Sequence, residues 1–276
     1  MFLFAYHAAR SLSDRELEER IPLTDADSAA LTEHATAFAP LAAAFEPYLA
    51  MHPLRDREML FMSGNLAGAD VEFPDPAMLA ALLAFEPVYA EHFAPRHRDA
   101  TGSMADALDA QLALHGDAMA RAVAREVEGT WRAGDPIRIE LVPYVSRAGA
   151  YTISYHTVMS SLREDYRNHA LEMVFHEAAH TSPMTDRIRA VADAALAKHG
   201  IENPRFWHYL QFYAIGRAAQ SVLGEEYVPY HVANGLDRRG GARTYYAAID
   251  EVWDDYHTLE ERADAALALI AAQSRP

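Results

Sequence analysis

The residues His176-Glu177-Ala178-Ala179-His180 read H-E-x-x-H and follow Ala170 to Phe175, an apolar run that favours a helix. Residues four apart lie on one face of a helix, so His176 and His180 can direct their imidazoles at one point. Two neutral imidazoles are suitable ligands for a tetrahedral zinc ion. Glu177 leaves the helix about 100° away from His176. This angle disfavours ligation by Glu177, but lets its carboxylate take a proton from a water that the metal activates.

The H-E-x-x-H pattern is uncommon by chance. With 14 His among 276 residues, roughly one chain in twenty of this composition would contain it at random. A helix with two buried, hydrogen-bonded histidines and a surface glutamate is the alternative interpretation. The motif predicts one bound Zn²⁺ and leaves this structural alternative open.

Composition narrows the class of protein. The formal net charge of -16 opposes binding to nucleic acid, because such a surface repels phosphates. The chain has no Cys, so a metal must be held by His, Asp or Glu. Residues 1–10 are apolar but too short and too weakly basic for a signal peptide, and no run approaches the ~20 apolar residues of a membrane span. We expect a soluble protein, with its compartment, export and oligomeric state open.

The first half of the chain is predicted to be helical. Thr24 and Asp25 would cap a helix that continues to about Leu49, with a break or kink at its two prolines, Pro40 and Pro47. Further helices are expected from 77 to about 93 and from an N-cap at Ser103 onward. The apolar run 59–62 fits either a strand or one helical turn.

Alternating apolar residues appear just before the motif. Residues 137–141 and 151–155 alternate apolar and polar side chains, and a turn at 146–149 separates them. This period predicts two short strands. Pro183 should end the motif helix soon after His180. Glu202 would lie in the loop before a later helix that is expected to begin near residue 205.

Three later helices are expected, at 186–198, 205–223 and about 244–272, with Asn203 as the cap of the second. The fold class is therefore α+β and predominantly helical. We divide the chain into a helical N-terminal region, 1–132, and a metal-binding core with the C-terminal helices, 133–276. A single domain is the alternative.

The chain resembles the zincin metallopeptidases, and most closely their gluzincin branch. The resemblance lies in the order of its elements: two strands, an H-E-x-x-H helix and a further helix that bears another ligand. The resemblance covers roughly residues 137–223. It implies that His176 and His180 bind zinc, that Glu177 is the general base, and that a strand near 151–155 binds an extended substrate. The implied activity is zinc-dependent hydrolysis of a peptide or small amide.

The third ligand departs from the gluzincin pattern, because no acidic residue lies between Arg205 and Leu223. His208 is the first choice, since it is predicted to be helical and inward-facing. Glu202 and Asp186 are the alternatives. Asp186 occupies the position of the third ligand in the metzincin branch, but Pro183 replaces the glycine that this branch requires.

Two further residues are assigned supporting roles. Glu172 lies one turn before His176 and could accept the N–H of that imidazole. Tyr230 is the candidate donor to a developing oxyanion. Glu172 could instead be an ordinary surface residue, and Tyr230 could instead have only a packing role.

Three other functions compete with the zinc hydrolase. A catalytically silent zinc-binding scaffold of the same fold is the main alternative. A di-iron carboxylate bundle needs two E-x-x-H elements, and the sequence contains only Glu177-Ala-Ala-His180. The last alternative is a purely structural helical protein.

Overall fold

The computed structural model describes residues 1–13, 22–49, 75–131, 137–145, 149–153, 156–181 and 183–273. Most of these residues are helical, and a three-stranded sheet accompanies the helices. The predicted α+β, predominantly helical class is therefore confirmed. The expected element at 59–62 lies outside the described residues.

The helices and strands carry the following names in chain order: α1 (Phe2–Ser11), α2 (Asp25–Glu33), α3 (Ala35–Leu49), α4 (Pro76–His92), α5 (Ala94–Glu126), β1 (Arg138–Val142), β2 (Ala150–Ile153), β3 (His156–Ser160), α6 (Glu164–Asn168), α7 (Ala170–Ala178), α8 (Met184–His199), α9 (Phe206–Leu223), α10 (Tyr230–Ala233), α11 (Ala242–Val252) and α12 (Leu259–Gln273). A 3₁₀ turn, Leu236–Arg238, lies between α10 and α11. No helix in the described part of the chain is both long and apolar enough to cross a membrane.

The chain forms two compact units that do not follow chain order. Met1–Ala107 and Arg138–Arg167 form the first unit, while Leu108–Ile137 and Asn168–Pro276 form the second. This grouping differs from the predicted division after residue 132, because the three strands group with the N-terminal helices rather than with the motif helix.

The first unit contains the sheet, whose strand order is β1-β3-β2. Strand β3 pairs in parallel with β1 and antiparallel with β2. Both predicted strands are present, but β3 was not predicted, because its residues do not alternate between polar and apolar and four of the five are buried. The expected second strand reaches only Ile153, since residues 154 and 155 lie outside the described part.

A buried carboxylate in the first unit forms hydrogen bonds with side chains from two other segments of that unit. Asp27 is 2 % exposed. It accepts hydrogen bonds from the Tyr144 hydroxyl at 2.5 Å and from Arg96 Nη2 at 2.8 Å, and it lies 3.3 Å from His97 Nε2. These partners together outweigh the cost of burial and hold the pKa of Asp27 well below its usual range. A buried charge is tolerated here because it is paired and hydrogen-bonded.

Helix α9 lies at the centre of the second unit. It packs against α7, α8, α10 and α11, and its residues Leu210, Ala214 and Ile215 have no exposed surface. The helix begins at Phe206 with Arg205 at the N-cap position, so the predicted cap at Asn203 is wrong, although Asn203 Oδ1 accepts the Arg205 N–H at 2.9 Å. At Gly216 an added Cβ would lie 2.8 Å from Pro229 Cβ. Helix α9 can therefore approach the segment that leads into α10 only because this residue has no side chain.

Several predicted helix boundaries are wrong. The helix capped by Thr24 breaks at His34, whereas Pro40 and Pro47 both lie inside α3. Helix α5 runs continuously through Ser103, which is therefore not an N-cap. The expected long C-terminal helix is divided into α11 and α12. In each case most of the segment is helical as predicted and only the boundary differs, because local sequence signals specify a helix terminus weakly.

Candidate metal centre

Helix α7 carries the motif and lies deep in the second unit, with every residue from Ala170 to Ala178 buried. The helix ends at Ala178, two residues before His180. The expectation that the helix includes His180 and stops only at Pro183 is wrong. The His180 N–H donates to the Glu177 carbonyl at 3.0 Å, so the second histidine lies in a tight closing turn. Its ring centre is still only 4.9 Å from that of His176.

Packing of α9 against α7 brings a third imidazole to the pair. His176 Nε2 lies 3.2 Å from His208 Nε2. One nitrogen from each of His176, His180 and His208 lies within 4.8 Å of the other two. This is the one group of three or more potential ligand residues among the residues described by the structure. Asp186 and Glu202 are not part of it. Of the three candidates for the third ligand, the fold brings His208 to the motif.

These nitrogens fit the donor set of a zinc site. Two nitrogens bound about 2.0–2.1 Å from one tetrahedral zinc lie about 3.3 Å apart, close to the 3.2 Å between His176 and His208. The whole group spans up to 4.8 Å, so the rings would tighten around an ion. Two neutral imidazoles could also share a hydrogen bond at 3.2 Å, which is the structural alternative. His176 Nδ1 is buried and has no hydrogen-bond partner among the described residues.

The protonation state of the three histidines favours metal binding. Burial lowers the pKa of His176 well below its usual value, and neighbouring His180 and His208 lower it further. Burial also lowers the pKa of His180 to about 4 and that of His208 to about 3. All three rings are therefore neutral at pH 7, and a neutral imidazole has the lone pair that a metal requires.

The two predicted catalytic residues occupy different surroundings. Glu177 follows His176 directly on α7 and is 6 % exposed. Tyr230 is the first residue of α10, and its ring stacks on Phe212, with ring centres 6.0 Å apart. Phe212 in turn stacks on His176 at 3.8 Å. The roles of Glu177 as base and of Tyr230 as oxyanion donor stay predictions.

Glu172 does not accept a hydrogen bond from His176, so that expectation is wrong. Its carboxylate accepts hydrogen bonds from the Tyr227 hydroxyl at 2.7 Å and from the Tyr230 N–H at 2.9 Å. The side chain is 1 % exposed. Burial raises the pKa of Glu172 to about 7, although both hydrogen bonds act in the opposite direction. Glu172 thus anchors the start of α10 to the motif helix.

The raised pKa of Glu172 predicts a specific pH dependence of stability. The folded protein keeps a proton that the unfolded chain releases above its ordinary pKa of 4.5, so this group costs stability progressively from about pH 4.5 to pH 7. The full cost is about 3 kcal/mol. Glu172→Gln carries no such charge. In urea denaturation of metal-free protein, the variant should gain about 3 kcal/mol relative to wild type between pH 4.5 and pH 8. A constant difference over this range would contradict the assignment.

Sequence reasoning missed the role of Gln211. The side chain is fully buried, and its Nε2 donates to the His176 carbonyl at 3.0 Å and lies 3.4 Å from both ring nitrogens of His180. Gln211 therefore links the two motif histidines from α9. Its position three residues after His208 on the apolar face was visible in the sequence, but this spacing alone does not distinguish an amide that contacts a site from one that fills a core.

Known proteins provide no further guide to this site. No family model, curated protein or solved structure matches the chain. The interpretation of the centre therefore depends on its geometry and on the chemistry of its residues.

Proposed function

We propose that this protein is a zinc-dependent hydrolase, a metallopeptidase that acts on a peptide or a small amide. The observation that carries the proposal is the convergence of three neutral imidazoles, one buried and two partly buried, with two from the H-E-x-x-H motif and one from α9. His176, His180 and His208 would hold the ion, leaving a fourth position for water or substrate, as catalytic zinc sites do. The absence of Cys excludes a thiolate-bound structural zinc.

The metal and the residues around it would have different catalytic roles. A bound zinc would supply Lewis acidity toward the scissile carbonyl and the attacking water. Glu177 would take a proton from the attacking water and deliver it to the leaving amine. Gln211 would position the His180 ring through its side-chain contact and the backbone of His176 through its hydrogen bond to the carbonyl.

We further infer a zincin-like core. The order of a short sheet, the motif helix and a later helix with the third histidine supports this inference. The binding of an extended substrate by the strand near 151–155 stays a prediction. The third ligand is a histidine in place of the gluzincin glutamate, so the resemblance concerns the motif and the order of elements.

The direct test of the proposal is metal content. Protein purified without added metal, then dialysed against zinc at neutral pH, should hold about one zinc per chain by elemental analysis. A His176→Ala, His180→Ala double variant provides the control and should hold none. A wild-type protein without any transition metal after this treatment would refute the zinc site.

A further inference from the structure

Two arginines lie beside the histidine centre. Arg189 belongs to α8, and Arg205 precedes the first residue of α9. The guanidinium carbon of Arg189 lies 4.2 Å from the centre of the Trp207 ring. The centre of that ring is 5.0 Å from the His208 ring and 5.7 Å from the His180 ring. Stacking on Trp207 therefore holds the positive charge of Arg189 against a ring that itself contacts His208 and His180.

The guanidinium groups of Arg189 and Arg205 are not neutralised by an acid among the described residues, which is also true of Arg121 and Arg125 in the same unit. Arg187, Arg217 and Arg262 each lie within 3.4 Å of a carboxylate oxygen. Neither Arg189 nor Arg205 has an ion pair or a side-chain hydrogen bond with any residue that the structure describes. Both side chains are exposed, so each is accessible to an external anion. What distinguishes Arg189 is its contact with Trp207, the neighbour of His208 in the chain.

The position of Arg189 relative to the centre follows from its contact with Trp207. Trp207 directly precedes His208 on α9, and the two ring centres are 5.0 Å apart. An anion bound at Arg189 would therefore lie close to a residue proposed to hold the metal.

We propose that Arg189 binds a carboxylate of the substrate, so that this centre selects peptides or amides with an anionic group close to the scissile bond. The inference rests on the proposed zinc hydrolase function. A guanidinium presents a planar pair of donors that matches a carboxylate, and its stacking on Trp207 limits the freedom lost on binding. Arg205 has no such ring contact in the described structure, so Arg189 is the more ordered of the two.

Two small zinc-binding compounds test this proposal. Acetohydroxamic acid offers only a metal-binding group, whereas the monohydroxamate of succinic acid adds a carboxylate about four bonds away. With zinc-loaded wild type, titration calorimetry should give roughly tenfold to hundredfold tighter binding of the carboxylated compound, as expected for a charge-assisted contact. Equal affinities would overturn the inference. If neither compound binds zinc-loaded protein, the ion offers no open position to a substrate group and the inference is overturned, whereas the metal site itself is tested separately by zinc content.

Single substitutions assign the effect to one arginine. Arg189→Gln should lose the preference for the carboxylated compound and keep its affinity for acetohydroxamic acid, which also shows that the variant is folded and holds zinc. Arg205→Gln removes an equal charge from the same neighbourhood and should keep most of the preference. An equal loss in both variants would mean a diffuse positive potential, and would overturn the assignment to Arg189.

The anionic group could be a terminal carboxylate or an acidic side chain, and a peptide library distinguishes them. Each sequence is offered with a free and an amidated C-terminus, with Asp and Glu or their amides at each position. Preference for free C-termini identifies the terminal carboxylate, while preference for Asp or Glu in both forms identifies a side chain. Cleavage that is indifferent to both changes contradicts the proposal.

Discussion

Replacing His208 by alanine is expected to weaken zinc binding by more than about a hundredfold. Structural zinc sites with four protein ligands are worth about 10–16 kcal/mol in total, so one ligand contributes about 3 kcal/mol or more. His208 Nε2 lies 3.2 Å from His176 Nε2, the separation that two nitrogens on one zinc require. The dissociation constant can be measured by competition with a chromogenic chelator, in wild type and in His208→Ala.

Matched controls come from the two other candidates for the third ligand. Asp186→Ala and Glu202→Ala remove a carboxylate from the same part of the chain, and neither residue belongs to the histidine group. Both variants should bind zinc within about twofold of wild type, since distant exposed charges contribute little. Loss of zinc in Asp186→Ala with retention in His208→Ala would reverse the assignment and favour the metzincin-like arrangement.

The structural alternative gives a different result for His176. If the three histidines form only a hydrogen-bonded core, His176→Ala should lower the melting temperature equally in zinc and in chelator, because its stacking on Phe212 at 3.8 Å is lost in both. If they form a metal site, zinc should raise the melting temperature of wild type and leave His176→Ala unchanged.

Replacing Glu177 by glutamine is expected to remove nearly all peptide hydrolysis while leaving zinc content unchanged. A general base contributes about 10²–10⁴-fold in rate, which is about 3 to 5 kcal/mol of activation free energy. The amide has nearly the shape of the carboxylate but cannot accept the proton. The comparison requires zinc-loaded wild type and Glu177→Gln on the same broad peptide library, with melting temperatures recorded for both.

The outcome of the Glu177 comparison also separates enzyme from scaffold. A catalytically silent zinc-binding domain would show no hydrolysis that a chelator abolishes, in either protein. Equal cleavage by wild type and Glu177→Gln would mean that the activity comes from another site or from a contaminant. Only strong loss in the variant at constant zinc content supports Glu177 as the base.

The sequence by itself determined the local parts of the centre. The four-residue spacing of His176 and His180 predicted that the two rings meet, although His180 lies in the turn after the helix, and the apolar run before them predicted a buried helix. The strands at 138–142 and 150–153 follow from their alternation. His208 could be ranked first because it combines a ligand side chain with an inward-facing helical position. Each of these inferences uses residues close together in the chain, where local geometry restricts the possibilities.

Only the tertiary structure decided how distant residues meet. The packing of α9 on α7 sets His208 against His176 and inserts Gln211 between the motif histidines, 31 residues beyond His180. Helix α8 brings Arg189 onto Trp207, and Glu172 contacts the start of α10 instead of His176. The strand β3 and the early end of α7 were likewise missed. Such contacts depend on which apolar faces pack together and at what angle, and no local period in the sequence encodes that choice.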